Sequence, residues 1–281
     1  MIPKIIHYIW VGNRPKPPLV EECINSWIKY CAGYKFNEWG NDKLKSINNA
    51  YVLQATAHKK WAFVSDYIRL FALYHEGGFY FDCDLELTAT LNDFRNYDFI
   101  TGFEKMPGSR RIMPVTALLG AVPKNPIIGD LLREYDRLDF TDSFGNPNLT
   151  LTTNTVRISK YFQTNFDLDL SSYSLGHRCV KLNEKSVIFP WYYFCTPKAG
   201  EKNFSVHHFM GSWLNPVKCI TLGSLGSWKL NKITLRISWE EYVTKHLDFN
   251  QKVMIKVPIP GKKVRMMLII KEQTKISIKS N

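Results

Sequence analysis

The 281-residue chain has no long apolar run. Its longest runs, such as "MMLII" at 266–270, fall far short of the ~20 residues a membrane-crossing helix needs. It has no Cys-x-x-Cys pair either. Cys23, Cys31, Cys83, Cys179, Cys195 and Cys219 stand far apart with no zinc-ligand spacing, and read as reduced thiols of a cytosolic protein, most of them buried. Internal repeats and low-complexity stretches are missing. The N-terminus "MIPKIIHYIWVG" has no long apolar core and no small-residue cleavage site, so it reads as a first β-strand and not as a signal peptide. Acidic residues are in short supply: 25 Asp and Glu against 37 Lys and Arg leave a formal charge of +12. Residues 220–281 hold a surplus of eight of those charges. Such an end can face nucleic acid, anionic lipid or a phosphorylated substrate, or can be a solvated basic face.

What is present is the material of a soluble globular core, 45% apolar and 14% aromatic residues. "KIIHYIW" (4–10) reads as a strand followed by the Gly/Pro loop "VGNRPKPP". Val20, Cys23, Ile24 and Trp27 at helical spacing predict a helix from about Leu19 to Tyr30, and "YKFNEW" (34–39) alternates as a second strand. The clearest helix is 58–76, with Trp61, Val64, Ile68, Phe71 and His75 on one stripe and Gly77-Gly78 as its stop. "FYFDCDLEL" returns as a strand. Further strands are expected at 97–104, 115–122, 186–189 and 204–208, and helices at 126–137 and 152–164. This alternation predicts an α/β fold with a mostly parallel central sheet over residues 1–219. The Lys-rich, alternating texture beyond that predicts a separate basic C-terminal appendage, 220–281. In parallel sheets ligands bind beyond the carboxyl ends of the strands. Trp10 with Gly12, and Asp82 with Asp84, fall at such ends.

Asp82, Asp84 and Glu86 alternate along the strand and so could project together unless the strand ends before Glu86, which is expected behind the metal ligands or on the surface. Carboxylates this close repel unless a cation sits between them. A hard ion with oxygen ligands, Mn²⁺ or Mg²⁺, is the natural partner, and it would also take the oxygens of a diphosphate. Asp66 and Arg69 sit three apart on the preceding helix, either as an ordinary ion pair or as ligands for a sugar and a phosphate. Downstream, "HHFMGSW" offers His207 or His208 as a further metal ligand, with Ser212 and Trp213 able to hydrogen-bond and stack.

Three segments occur in order: "PKIIHYIWVG", then Trp61 with "VSDYIRLFALYHEGGFYFDCDLEL", then "HHFMGSW". Together they resemble the DXD-containing, sugar-binding-region glycosyltransferases of family 32. That group includes bacterial capsule and lipopolysaccharide sugar transferases, a yeast initiating mannosyltransferase and, more distantly, the large clostridial glucosylating toxins. The resemblance implies a GT-A type, Rossmann-like sandwich. It implies that Trp10 stacks on the donor base with the backbone of Val11 and Gly12 beside it, and that Asp66 holds the transferred sugar. Arg69 would contact sugar or diphosphate, Asp82 the ribose and a metal-bound water, and Asp84 the Mn²⁺ or Mg²⁺ directly. His208, or failing it His207, would complete the metal shell, and Ser212 and Trp213 would hold the β-phosphate and leaving oxygen. Gly77, Gly78 and Tyr80 of the same motif are grouped with the substrate-binding positions.

By the same resemblance the donor is a UDP- or GDP-hexose and the acceptor a glycan or lipid-linked glycan in polysaccharide biosynthesis. Transfer is expected to retain configuration, and no residue stands out as a covalent nucleophile, so front-face attack by the acceptor hydroxyl is expected over the two-carboxylate route. The expected location is cytoplasmic, with contact at the inner face of the membrane through the basic tail as an extension of that reading. One departure is Asn154 in "TTNTV", where many relatives carry the glycine of a Thr-Gly-Pro, and this leaves the role of that loop open. The competing reading is a nucleic-acid- or membrane-binding basic protein without transferase activity. No nucleic-acid-binding motif is visible, and no nucleic acid partner is expected.

Overall fold

The computed structural model of the chain describes residues 1–12, 14–105, 112–148 and 154–210, and the backbone of three strands between 252 and 279. The elements of the first unit, Met1–Trp213, follow one another as β1 (Ile5–Ile9), α1 (Pro18–Tyr30), β2 (Lys35–Trp39), α2 (Asn41–Leu44), α3 (Ala50–Ala57), α4 (Trp61–Glu76), β3 (Gly78–Phe81), β4 (Leu85–Leu87), β5 (Phe99–Glu104), β6 (Met113–Ala121), α5 (Pro126–Tyr135), α6 (Asn154–Phe166), β7 (Val180–Asn183), β8 (Ser186–Phe189), α7 (Trp191–Phe194) and β9 (Ser205–His207).

Seven strands form one sheet in the order β2-β1-β3-β6-β5-β8-β7. β1 is parallel to β2 and β3, and β5 to β8, while β6 is antiparallel to both its neighbours and β7 to β8. Five of the seven strands therefore run one way, which is the mostly parallel α/β sheet expected. Strand alternation divides the core between the two faces. Tyr80, Leu119 and Ile188 pack under α3, α4, α5 and α6, whereas Phe79, Phe81, Leu118 and Val187 pack toward Cys23 and Trp27 of α1.

Two expectations change. The long helix begins at Trp61 and not at His58: residues 58–60 link it to a separate helix, α3, because Lys59 takes a positive φ of 54° that breaks helical continuity. Helix α4 is also buried on more than one stripe: Arg69 joins Val64, Ile68, Leu70, Ala72 and Leu73 in the interior.

Gly77 and Gly78 make the turn out of α4 into β3. Both have positive φ (65° and 103°), and a Cβ would lie 2.6 Å from Pro123 at the first and 2.6 Å from the Ile5 carbonyl oxygen at the second. Gly77 also accepts a hydrogen bond from the buried His7 ring at 2.8 Å.

The second unit spans Leu214–Asn281. Its described backbone is an antiparallel sheet of β10 (Lys252–Ile259), β11 (Lys262–Ile269) and β12 (Ser277–Lys279). No helix among the described residues is long and apolar enough to cross a membrane.

Candidate functional site

The acidic motif is not one continuous strand. β3 ends at Phe81, and residues 82–85 form a turn closed by the Leu85 N–H on the Asp82 carbonyl at 3.0 Å, with Leu85 opening β4. The turn, and not the period of a strand, brings Asp82 and Asp84 to the same side. Cys83 points away between them and donates its thiol to the Ile9 carbonyl at 3.2 Å. Glu86 leaves the group along β4.

β4 pairs antiparallel with β9, Leu85 opposite His207. This sets His207 beside the turn: its Nε2 is 3.5 Å from Asp84 Oδ1, and its Nδ1 is 3.9 Å from Glu104 Oε2. Ligand atoms of Asp82, Asp84 and His207 all lie within 4.8 Å of one another. The expectation that His208 completes a metal set is corrected here. Neighbouring residues face opposite sides of an extended chain, and the His208 ring turns to Glu86, with Nε2 2.9 Å from its Oε2. Asp84 is further fixed by the Met210 N–H on Oδ2 at 2.7 Å, and its own carbonyl accepts the His208 N–H at 3.0 Å.

The second half of the site comes from α4. Arg69 bridges two carboxylates, 3.1 Å from Asp66 and 3.3 Å from Asp82. Its guanidinium lies 4.6 Å from the centre of the Tyr80 ring, and the Tyr80 hydroxyl donates to Asp82 Oδ1 at 2.6 Å. With its ring fully inside the core, Tyr80 orients Asp82 and Arg69 and presents no face to a substrate. Its grouping with substrate-binding positions is corrected accordingly. Gly77 and Gly78 are also not brought to the site: they lie at the far end of β3, about 13 Å of strand from Asp82.

On the neighbouring strand, β1 pairs with β3 so that His7 stands opposite Tyr80. The two strands run parallel and the Cys83 thiol meets the Ile9 carbonyl, so Trp10, Val11 and Gly12 follow β1 at the same end of the sheet as the Asp82–Asp84 turn. Gly12 takes φ 89°, exchanges hydrogen bonds with the Asn41 side chain, and has Trp61 so close that a Cβ would meet its Nε1 at 3.0 Å. Ser212 and Trp213 lie outside the described residues.

Several residues of the site carry no motif signal. Asn154, the first residue of α6, donates its backbone N–H to Asp66 and accepts the Tyr135 hydroxyl at 3.2 Å. Arg157 follows one turn later, its guanidinium 5.5 Å from the Tyr135 ring centre. Glu104, at the end of β5, faces His207. Only their ordinary helix and strand patterns were available in the sequence; the Asn154 departure was the single hint.

Charge explains the protonation of the group. Burial, joined by the charge of Asp82, pushes the Asp66 carboxyl up to about 7 against the pull of Arg69, Arg157 and the Asn154 N–H. One buried guanidinium shared by two carboxylates cannot satisfy both. Burial works to raise Asp84, but His207 and the Met210 N–H more than offset it and leave it below the ordinary carboxylate range. For His207 burial opposes the charge, and the hydrogen bond to Asp84 with the charges of Asp84 and Glu104 outweighs it, holding the ring well above the usual imidazole value. Two carboxylates and an imidazole converging in this space are a donor set able to hold a divalent metal ion.

Residues 17–100 match the family described as the glycosyltransferase sugar-binding region containing the DXD motif. The matched segment includes Asp66, Arg69, Asp82 and Asp84. No curated protein matches the chain. Among solved structures it is similar to the PaToxG glycosyltransferase, at 20% identity and TM-score 0.43 over 62% of this chain and 74% of that one. It is also similar to a glycosyltransferase involved in the glycosylation of the major capsid of PBCV-1, at 12% identity and TM-score 0.39 over 72% of this chain and 92% of that one. The DXD region marks the chain as an enzyme of the glycosyltransferase class.

Proposed function

We propose that the chain moves a hexose from a UDP- or GDP-linked donor to an acceptor hydroxyl, with a divalent cation held by Asp82, Asp84 and His207. The observation that carries this reading is the convergence of those three side chains within 4.8 Å, directly beside the buried Asp66–Arg69 pair. When bound, Mn²⁺ or Mg²⁺ would neutralise the diphosphate as it departs. The chain's own residues do the rest. Trp10 and the Val11–Gly12 backbone receive the base beyond the end of β1. Asp66 accepts from a hydroxyl of the transferred sugar, and Arg69, already charged and held rigid between two carboxylates, stabilises negative charge that develops nearby.

Retention by front-face attack fits this arrangement. Asp66 is the carboxylate closest to the sugar in this scheme, and it is engaged by Arg69 and by the Asn154 N–H, which argues against a covalent nucleophile. A glycan or lipid-linked acceptor in polysaccharide assembly, a cytoplasmic location and a membrane contact through the basic tail complete the proposal. The decisive experiment incubates the protein with UDP- and GDP-hexoses, with and without Mn²⁺. Metal-dependent donor binding and slow donor hydrolysis are expected, both lost in Asp84→Ala; absence of binding to every donor would sink the proposal.

A further inference from the structure

The charged groups of the site form a row. It starts at His207 and Asp84, continues through Asp82, Arg69 and Asp66, and ends at Arg157, whose charge lowers the pKa of Asp66. The far end of that row opens into a recess of about 410 Å³ between α5 and α6, lined by Asp130, Arg133, Glu134, Arg137, Leu138 and Arg157. Three arginines meet two acids there, and Asp130 is already taken by Arg133 and by the Tyr161 hydroxyl. Arg157 itself is left with work undone. Among the described residues its buried Nε has no hydrogen-bond partner, and neither has Nδ2 of Asn154, a residue only 3% exposed. An unmet buried donor is costly, and of these two residues Arg157 is the one that lines the recess.

We infer that Arg157 is a specificity-determining residue that receives an oxyanion, a carboxylate or a phosphate, carried by the acceptor and entering through the α5–α6 recess. The planar guanidinium already lies over Tyr135, 5.5 Å from the ring centre, and its fixed fork suits such a group. The donor's own diphosphate belongs at the opposite end of the row, beside Asp82 and Asp84, which leaves the anion at Arg157 to the acceptor. This rests on the transferase reading for the word acceptor, but the binding event is measurable without donor or metal.

The test uses the full chain at low ionic strength without divalent cation, titrated with inorganic phosphate, with glucuronate and with glucose, and followed by calorimetry and NMR. Phosphate or glucuronate is expected to bind, and glucose not. Arg157→Gln should weaken that binding by about tenfold or more, the scale of one lost charge-assisted hydrogen bond. Arg157→Lys, which keeps the charge without the fork, should fall between. Arg137→Gln, at the rim, checks the recess independently should Arg157→Gln fold poorly, and is expected to weaken binding too. Asp84→Ala should leave anion binding intact while losing metal-dependent donor binding, which separates this inference from the transferase reading. The relative strength of phosphate and glucuronate tells a phosphorylated acceptor from an acidic sugar. Equal binding in the wild type and both glutamine variants, or no binding of either anion, would overturn the inference.

Discussion

His207 stands 3.5 Å from Asp84 across the β4–β9 pair, while the adjacent His208 turns to Glu86, 122 residues before it. One short antiparallel pairing decides which of two adjacent histidines serves the acidic turn. His207→Ala is therefore expected to weaken Mn²⁺ binding by at least about tenfold, and His208→Ala to change it little. Titration of each variant with Mn²⁺, followed by electron paramagnetic resonance, reads the difference; equal losses would contradict the assignment.

Asp84 has two duties, facing the proposed metal and accepting the Met210 N–H. Asp84→Asn keeps an acceptor for that N–H and Asp84→Ala does not. Both should abolish metal-dependent donor turnover. The alanine variant should in addition be less stable by about 1–3 kcal/mol, the cost of a buried group left unpaired. Parallel turnover assays and urea melts check both halves.

Tyr80→Phe removes only the hydroxyl that holds Asp82 at 2.6 Å. Metal affinity should drop by about 10- to 100-fold, as for outer partners of metal ligands generally, with donor affinity in the absence of metal unaltered. Calorimetry with Mn²⁺ alone and with nucleotide alone separates these effects.

Gly77→Ala and Gly78→Ala place a Cβ 2.6 Å from Pro123 and from the Ile5 carbonyl, at backbone angles that favour glycine. Each should cost more than about 1 kcal/mol of stability. Donor affinity of the folded fraction should be unaffected, since neither residue reaches the site. A donor-binding defect in well-folded protein would count against that placement.

The pH dependence follows from Asp66, whose folded-state pKa of about 7 lies above the ordinary 3.8. Between those values the folded state binds the proton and the unfolded state does not. The contribution of Asp66 is thus fully present below about pH 4 and is lost as pH rises toward and through 7. His207, also raised, acts in the same direction in a different window, so the wild-type curve alone mixes the two. The melting-temperature difference between Asp66→Asn and wild type isolates Asp66, and it should grow in favour of the variant from about pH 5 to pH 8.

Much of this was legible in the sequence because local signals agreed with the global fold. The strands expected at 4–10, 34–39 and 186–189 and the helices expected at about 19–30 and 126–137 are found within two residues of those bounds. The Asp82–Asp84 pair and the Asp66–Arg69 spacing could be read directly, since they depend on neighbours three residues apart or fewer. The turn at 82–85 was not legible: its aspartates carry the same alternation a strand would, and only the Leu85–Asp82 hydrogen bond and the pairing of β4 with β9 distinguish them. Asn154 and Arg157 were hidden for another reason, because no local pattern tells a helix start which distant carboxylate it will face.

By itself, the sequence determined the chemistry on offer: paired carboxylates after a glycine turn, a guanidinium one helical turn from an acid, and histidines on a late extended segment. These are local facts of residue type and spacing. Only the tertiary structure decided that Arg69 is shared by Asp66 and Asp82, that His207 and not His208 meets the aspartates, and that α6 delivers Asn154 and Arg157 to Asp66. Those relations depend on strand register and on helices packed across a sheet, where a slip of one residue reverses which side chain faces the site.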